Sequence, residues 1–306
     1  MIWKKNCLIY KPEREAAWWR SHAMAPAALL YNEQTIRVFM GCWDENGIAR
    51  IGYIDIQLDE PKTILRVSEQ PVLDIGRPGC FDDNGVFPGH VYEHQGIVYL
   101  YYTGFQKLDR IPFTNFCGLA ISKDGGDTFV RVSEAPVMDR SDEGLFTRAG
   151  TSIVVEDGIF RSCYCAGSSW VTVAGKARPV YEVYYTESSN GIDFDRRGRC
   201  IVKCDLSVEH GLGRPQLTKI EDSYYVFYTR RLLDYRYHMG VAKSSNLVDW
   251  QRMDDLLAPI AHGGKGDFDG DMVYFPCVLQ CKKKLLLFYS GNGYGRGGFG
   301  YAEASV

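Results

Sequence analysis

Four carboxylates keep one phase of a repeating pattern along the 306-residue chain: Asp83, Glu143, Glu209 and Asp271. Each stands shortly before an apolar segment marked by Pro or Gly, at Phe87-Pro88, Ala149-Gly150, Arg214-Pro215 and Phe275-Pro276. Acids that only solvate surface loops have no reason to share a phase. Carboxyl groups gathered at one opening can do defined chemistry: one protonates a leaving oxygen, and a second activates water or attacks a sugar carbon. Crowded acids raise each other's proton affinity, so acid and base coexist near neutral pH. Glu143, with Asp142 beside it and Gly144-Leu145-Phe146 after it, has the more apolar setting and is the expected proton donor; Glu209 is the alternative. Asp83 or Asp271 is the expected base. Arg148 and Arg214 are placed to steady charge or bind hydroxyls. Asp82, Asp142 and Asp267 fall in the same stretches and read as turn formers.

Other side chains are candidates for holding a substrate. His22 occupies the phase that carries an acid elsewhere, and can bind or titrate. Trp170 lies in an apparent insertion, 168–180, and offers a face for stacking on a sugar ring. Tyr274 follows Asp271 closely, Arg230 ends an aromatic strand, and Asn292 opens the Gly-rich run Asn292 to Gly298. That run follows no strand–helix–strand pattern, so it reads as a hairpin rim and not a phosphate loop.

The elements that would position these residues form a fivefold repeat. Aromatic strands end at residues 41, 104, 167, 230 and 291, a period of about 63 that indicates one stacked supersecondary unit. The Pro/Gly segments, including Ala25-Pro26, keep the same period and read as inner edge strands, where a missing N–H is tolerated. Tight turns before Phe129-Val-Arg131, Phe194-Asp-Arg196 and Trp250-Gln-Arg252 read as hairpins into an outer strand. The expected fold is all-β: a single five-bladed β-propeller domain over 1–306, with about four antiparallel strands per blade. The fifth unit lacks its outer strand, while Trp3-Lys4-Lys5 matches the aromatic-x-basic pattern, so the strand Trp3 to Tyr10 is expected to close the last blade and remove an open edge.

Composition narrows the function classes. The formal net charge is −3, which gives no reason to expect nucleic acid or anionic membranes as partners. Hydrophobic residues make up 45% and aromatics 13%, enough for a large core and for sugar-stacking surfaces. No apolar run is long enough to span a bilayer, and the N-terminus carries no signal-peptide core, so a cytoplasmic location is expected. The ten cysteines lack histidine partners at zinc spacing and read as small buried hydrophobes, with neither a metal nor another cofactor expected.

These residues resemble the five-bladed propeller glycosidase-like superfamily: the arabinanase, β-xylosidase, invertase and mannoside-phosphorylase groups. They resemble most closely the bacterial propeller proteins linked to surface-polysaccharide and sugar-biosynthesis genes. The shared signatures are Ser21-His22-Ala23 with Pro26, Phe81-Asp-Asp-Asn-Gly85-Val-Phe-Pro88, Glu143, Gly211-Leu-Gly-Arg-Pro215 and Asn292-Gly-Tyr-Gly295 with Gly298-Phe-Gly-Tyr301. The resemblance implies a carbohydrate-active enzyme acting at a glycosidic bond of a small or activated sugar or oligosaccharide. One departure bears on mechanism: the hydrolytic groups place an Asp before the first Pro, and here Ala25 stands there. Either another acid takes that role or the reaction is phosphorolysis or sugar transfer, with Arg148, Arg214 and Arg230 as phosphate ligands. A non-catalytic propeller binding glycan or protein is the reading from a different class.

Overall fold

The computed structural model describes residues 1–13, 16–281 and 284–305. Strand β1 (Trp3–Tyr10) opens the chain, and four complete antiparallel groups follow. The first is β2 (Ser21–Asn32), β3 (Thr35–Trp43), β4 (Ala49–Gln57) and β5 (Ile64–Val67). The second is β6 (Val86–His94), β7 (Ile97–Lys107), β8 (Phe113–Ser122) and β9 (Val130–Arg131). The third is β10 (Thr147–Glu156), β11 (Ile159–Val173), β12 (Lys176–Ser188) and β13 (Arg199–Val202). The fourth is β14 (Glu209–Ile220), β15 (Ser223–Leu232), β16 (Tyr237–Ser244) and β17 (Gln251–Arg252). Then come β18 (Tyr274–Cys281), β19 (Lys284–Ser290) and β20 (Phe299–Ser305), and β1 pairs antiparallel with β20 to give the order β1-β20-β19-β18. Among the described residues only two short turns, Asp254–Leu257 and Asn292–Gly295, have helical character.

Local chemistry accounts for the outer hairpins. Asp124 Oδ1 accepts from the backbone N–H groups of Asp127 and Thr128, Asn190 Oδ1 from those of Ile192 and Asp193, and Asn246 Oδ1 from those of Val248 and Asp249. These side-chain turns lead from β8 to β9, β12 to β13 and β16 to β17, as the hairpin signals predict.

The Pro/Gly segments mark something more specific than an edge. In every inner strand the register breaks there: between Met24 and Ala27, Pro88 and His90, Ala149 and Ser152, Gly213 and Gln216, and Tyr274 and Cys277. Ala25, Gly150, Arg214 and Phe275 have positive φ at these breaks. Such bulges bend a strand and re-aim its backbone groups.

The core is distributed between groups. Phe39 and Tyr53 of the first pack with Leu100 and Tyr102 of the second; Tyr101 and Leu119 pack with Tyr164 of the third. Val183 and Tyr185 meet Val226 and Tyr228 of the fourth, and Phe227 and Val241 meet Leu285, Tyr289 and Trp3. Val38 and Ile54 of the first group pack against Phe288 and Phe299. Each group thus buries its two faces on two neighbours. The second, third and fourth are also joined into one curled sheet by short parallel pairings, Asn115 with Thr147 and Tyr181 with Gly211.

Candidate functional site: an aromatic funnel with a basic floor

Of the four carboxylates expected to share a site, Glu143 and Glu209 are held inside their groups, and in the second and fifth groups the acids so held are Asp82 and Asp269, neighbours of the expected Asp83 and Asp271. Asp82, fully buried, accepts from Arg131 of β9 at 2.7 Å and from the Tyr102 hydroxyl at 3.0 Å. Glu143 accepts from the Tyr164 hydroxyl at 2.5 Å and the Gly198 N–H at 3.0 Å, with Arg148 Nε at 3.6 Å. Glu209, also fully buried, pairs with Arg230 at 2.6 Å and Arg252 of β17 at 2.7 Å. Asp269 accepts from Lys5 of β1 at 2.7 Å and the Tyr289 hydroxyl at 2.8 Å. Three of these four reach the tyrosine of their own second strand, and three reach the basic residue of the outer strand. The regular phase therefore belongs to a clamp that ties the segment before each inner strand to the rest of its group. Asp82, expected as a turn former, is such a clamp. Asp267 does form a turn, accepting from Gly264 N–H at 2.6 Å, and the exposed Asp142 pairs with Arg197.

The predicted arginines are likewise engaged. Arg148 donates to the carbonyls of Asp139 and Asp195 and to the Tyr164 hydroxyl. Arg230 is bound to Glu209 and Asp254. Arg214 lies on the axis where the inner strands meet, donating to the carbonyls of Ala25 and Pro26 of β2, Pro88 and Gly89 of β6, and Phe275 and Pro276 of β18 at 2.6–3.3 Å. The bulges turn these carbonyls inward, and the guanidinium gathers them. Without a carboxylate partner, burial pulls its pKa down to about 10.

Above Arg214 opens a funnel of about 470 Å³, continuous with a recess of about 40 Å³ at its base. Its walls are Trp43, Phe87, Phe105, Phe113, Phe275 and Tyr294. Its floor carries Asn115, Thr147, Tyr181 and Arg231. No carboxylate of the described residues lines either compartment. A polar vestibule that shares Trp43 with the funnel holds His22, Arg20 and Arg296 together with the carboxylates Asp44 and Glu45. The His22 ring stacks on Trp43, with centroids 4.0 Å apart, and its Nδ1 lies 2.7 Å from Ser21 Oγ. Burial, reinforced by Arg296, lowers its pKa to about 4.

Of the residues singled out from sequence, Arg214 lines the recess and His22 the vestibule. Tyr274 is fully buried beside Tyr237 and Tyr294, and its hydroxyl has no hydrogen-bond partner. Asp83 is half-buried on the loop before β6, accepting from Gly79 N–H at 2.8 Å and Gln106 Nε2 at 3.4 Å. Asp271 is exposed. Asn292 is a staple: its Oδ1 accepts from the N–H groups of Asp271 and Met272, and its Nδ2 donates to the Asp267 carbonyl. Segment 168–180 is no loop insertion but an extension of the β11–β12 hairpin, in which Trp170 pairs across to Pro179 and packs on Phe146 at 4.8 Å.

Sequence reasoning missed Arg231 and the funnel aromatics. One signal was present: in β15 side chains alternate faces, so if Arg230 is turned toward Glu209, Arg231 must face the other way.

No protein-family model matches the chain. The uncharacterised protein Rv1502 of Mycobacterium tuberculosis is 28% identical over 99% of both chains. A 1,2-beta-oligomannan phosphorylase of Thermoanaerobacter is 31% identical over 42% of this chain and 45% of its own. Among solved structures, a glycosyl hydrolase from Bacteroides ovatus aligns with a TM-score of 0.73 at 15% identity, over 99% of this chain and 93% of the other. A beta-1,2-mannobiose phosphorylase from Listeria innocua, solved with beta-1,2-mannobiose, aligns with a TM-score of 0.73 at 11% identity, over 100% and 97%. The resemblance carried by the motifs thus holds in three dimensions: this chain has the propeller-type fold of glycoside hydrolases and mannoside phosphorylases.

Proposed function

We propose that this protein is a carbohydrate-active enzyme that seats a saccharide in the aromatic funnel and passes a glycosyl group to or from phosphate or another sugar, not to water. The observation that carries this reading is a funnel walled by aromatic rings, which stack on sugar faces, with no carboxylate pair along it among the described residues. Hydrolysis needs two carboxyl groups flanking the bond. Phosphorolysis needs one proton donor, because the attacking phosphate brings its own charge: a phosphate oxygen bonds to the anomeric carbon, the glycosidic C–O bond breaks, and the leaving oxygen takes the donor's proton. Of the four candidate carboxylates, Asp83, first read as a base, is the one whose chain neighbours, Asn84 and Gly85, line the funnel; we assign it the donor role in place of Glu143, its carboxyl turning from Gly79 and Gln106 into the funnel when a saccharide binds. The partial likeness to an oligomannan phosphorylase supports the same direction. We take the five groups as the blades of a single five-bladed propeller, a reading supported by the cores shared between successive groups and between the last and the first.

The test is a panel of oligosaccharides and glycosyl phosphates assayed with and without inorganic phosphate. A sugar phosphate should form only when phosphate is present, and Asp83→Asn should slow its formation by about 100-fold or more. Reducing sugar released without phosphate would make the protein a hydrolase. The aromatic funnel wall also suits a second reading, a saccharide-binding propeller without catalysis; saturable binding with no turnover across the panel would decide for it.

A further inference from the structure

Arg37, Arg148 and Arg214 are buried and Arg231 is half-buried, and the first three are held by oxygens of the protein. Arg37 binds Asp55 and Asp127, Arg148 binds carbonyls and Glu143, and Arg214 binds six carbonyls. Arg231 differs. No carboxylate pairs with it among the described residues, its Nε has no hydrogen-bond partner, a lack it shares with Arg148 Nε, and it donates to none of the carbonyls that hold Arg148 and Arg214. What touches it is aromatic: its guanidinium carbon lies 4.6 Å from the Tyr181 ring centroid and 5.5 Å from that of Tyr237. Gly211 makes the room, since a Cβ there would come within 3.2 Å of Arg231 Cδ.

The groups around this guanidinium share one property. The hydroxyls of Tyr181, Tyr274 and Thr147 are buried without partners, as is Asn115 Oδ1. Burial pushes the phenol pKa of Tyr181 and Tyr274 upward and that of Tyr294 to about 12, so all three carry their protons at neutral pH. The Nε of a second arginine, Arg178 of β12, is also orphaned, with its guanidinium over the Tyr235 ring at 5.2 Å. A half-buried cation without a counter-ion and a set of orphaned buried hydroxyls each cost free energy. Folded proteins keep few such groups, and a cluster of them at the base of an open funnel needs a physical reason. An oxyanion answers the donors that line the recess, its oxygens accepting from the Arg231 guanidinium, the Tyr181 phenol and the Thr147 hydroxyl, while Asn115 Oδ1, an acceptor, suits a sugar hydroxyl.

We propose that the funnel floor around Arg231 is an oxyanion site, filled by the acidic group of the bound saccharide, a phosphate ester or a uronate carboxylate. This rests on the funnel's being a saccharide site. Free inorganic phosphate offers the same chemistry, and the experiment separates the two sources.

Binding is measured by calorimetry and thermal shift with glucose 6-phosphate, glucuronate, inorganic phosphate and glucose, at constant ionic strength set with chloride. Glucose 6-phosphate or glucuronate should bind saturably and raise the melting temperature, while glucose binds at least about tenfold more weakly. Arg231→Gln should weaken the anions by about ten- to a hundredfold and leave glucose unchanged. Arg231→Lys should recover only part, because an ammonium cannot reproduce the planar fork, and Tyr181→Phe should cost a smaller factor. If Arg231→Gln does not fold, the Lys and Phe variants carry the test. Inorganic phosphate binding as tightly as the sugar acids, and displacing them, would assign the floor to free phosphate and overturn the saccharide source. Equal affinity for glucose and for the anions, or anion binding unchanged in all three variants, would overturn the oxyanion site. Failure of the saccharide reading shows separately: neutral oligosaccharides would then not bind, and Trp43→Phe would leave every affinity as it was.

Discussion

Arg230 and Arg231 are neighbours in β15 with opposite surroundings. The first is bound into the clamp around Glu209, and the second faces the funnel with no ionic partner among the described residues. Residue type alone does not distinguish them; strand alternation does. His22 illustrates the same dependence. An ordinary histidine titrates at 6.5, whereas His22, buried against Trp43 and facing Arg296, does so at about 4. His90 is lowered to about 4 by burial and Arg214. The folded state therefore binds these protons more weakly than the unfolded chain, so the stabilisation is complete above the unfolded pKa and is lost as pH falls from 6.5 toward 4. For His22 this amounts to about 3 kcal/mol. Melting temperatures measured between about pH 7 and pH 4.5 should fall more steeply for the wild type than for His22→Gln. Parallel curves would remove His22 as a source of acid sensitivity.

At the scale of elements, β1 makes the clearest case. The aromatic-x-basic pattern at Trp3 and Lys5 announced an outer strand separated from its group by nearly the whole chain, and β1 does pair with β20. Trp3 is 2% exposed, with its ring edge-on to Phe227 at 6.2 Å, and Lys5 reaches Asp269. Removing the first ten residues uncovers this core, takes away the cation of Asp269 and leaves the edge of β20 unpaired. The expected loss is about 3 kcal/mol or more and a fall of at least about 5 °C in melting temperature. Lys5→Met should produce a smaller fall. A truncated protein that melts with the full chain would show that β1 contributes little. The inner strands show the limit of sequence reading: proline position suggested edges, while the structure adds a bulge at the same place in all five.

Over the whole molecule those bulges acquire a purpose, because they aim carbonyls at Arg214. One side chain on β14 holds β2, β6 and β18 to a common centre. Its Cα lies where a Cβ on Gly150 of β10 would approach to 2.8 Å, so the remaining inner strand packs directly beneath it. Replacing Arg214 by Met strands several buried carbonyls at once. The expected cost is about 3 kcal/mol or more, read as a lowered urea midpoint, with Lys restoring only part because it has three donors for six acceptors. A midpoint unchanged in Arg214→Met would show that water replaces the guanidinium.

The sequence by itself determined the repeat, the all-β class, the outer hairpins and the return of the N-terminal strand, because each rests on local periodicity and turn chemistry that recur at a fixed spacing. It also placed Glu143 and Glu209 at the phase where each group clamps an acid, but in the second and fifth groups the clamped acids are Asp82 and Asp269 and not the expected Asp83 and Asp271. What it left open was what those acids face. Regular phase is equally the mark of a shared site and of a repeated clamp, since both place equivalent residues equivalently. Only the tertiary structure decides between them, because the partners of Glu209, namely Arg230 and Arg252, and of Asp82, namely Arg131, lie 21 to 49 residues away in sequence. The funnel is a product of that same convergence. Trp43, Phe113, Arg231 and Phe275 come from four different groups and share no motif, and they become one surface only when the bulged inner strands close around Arg214.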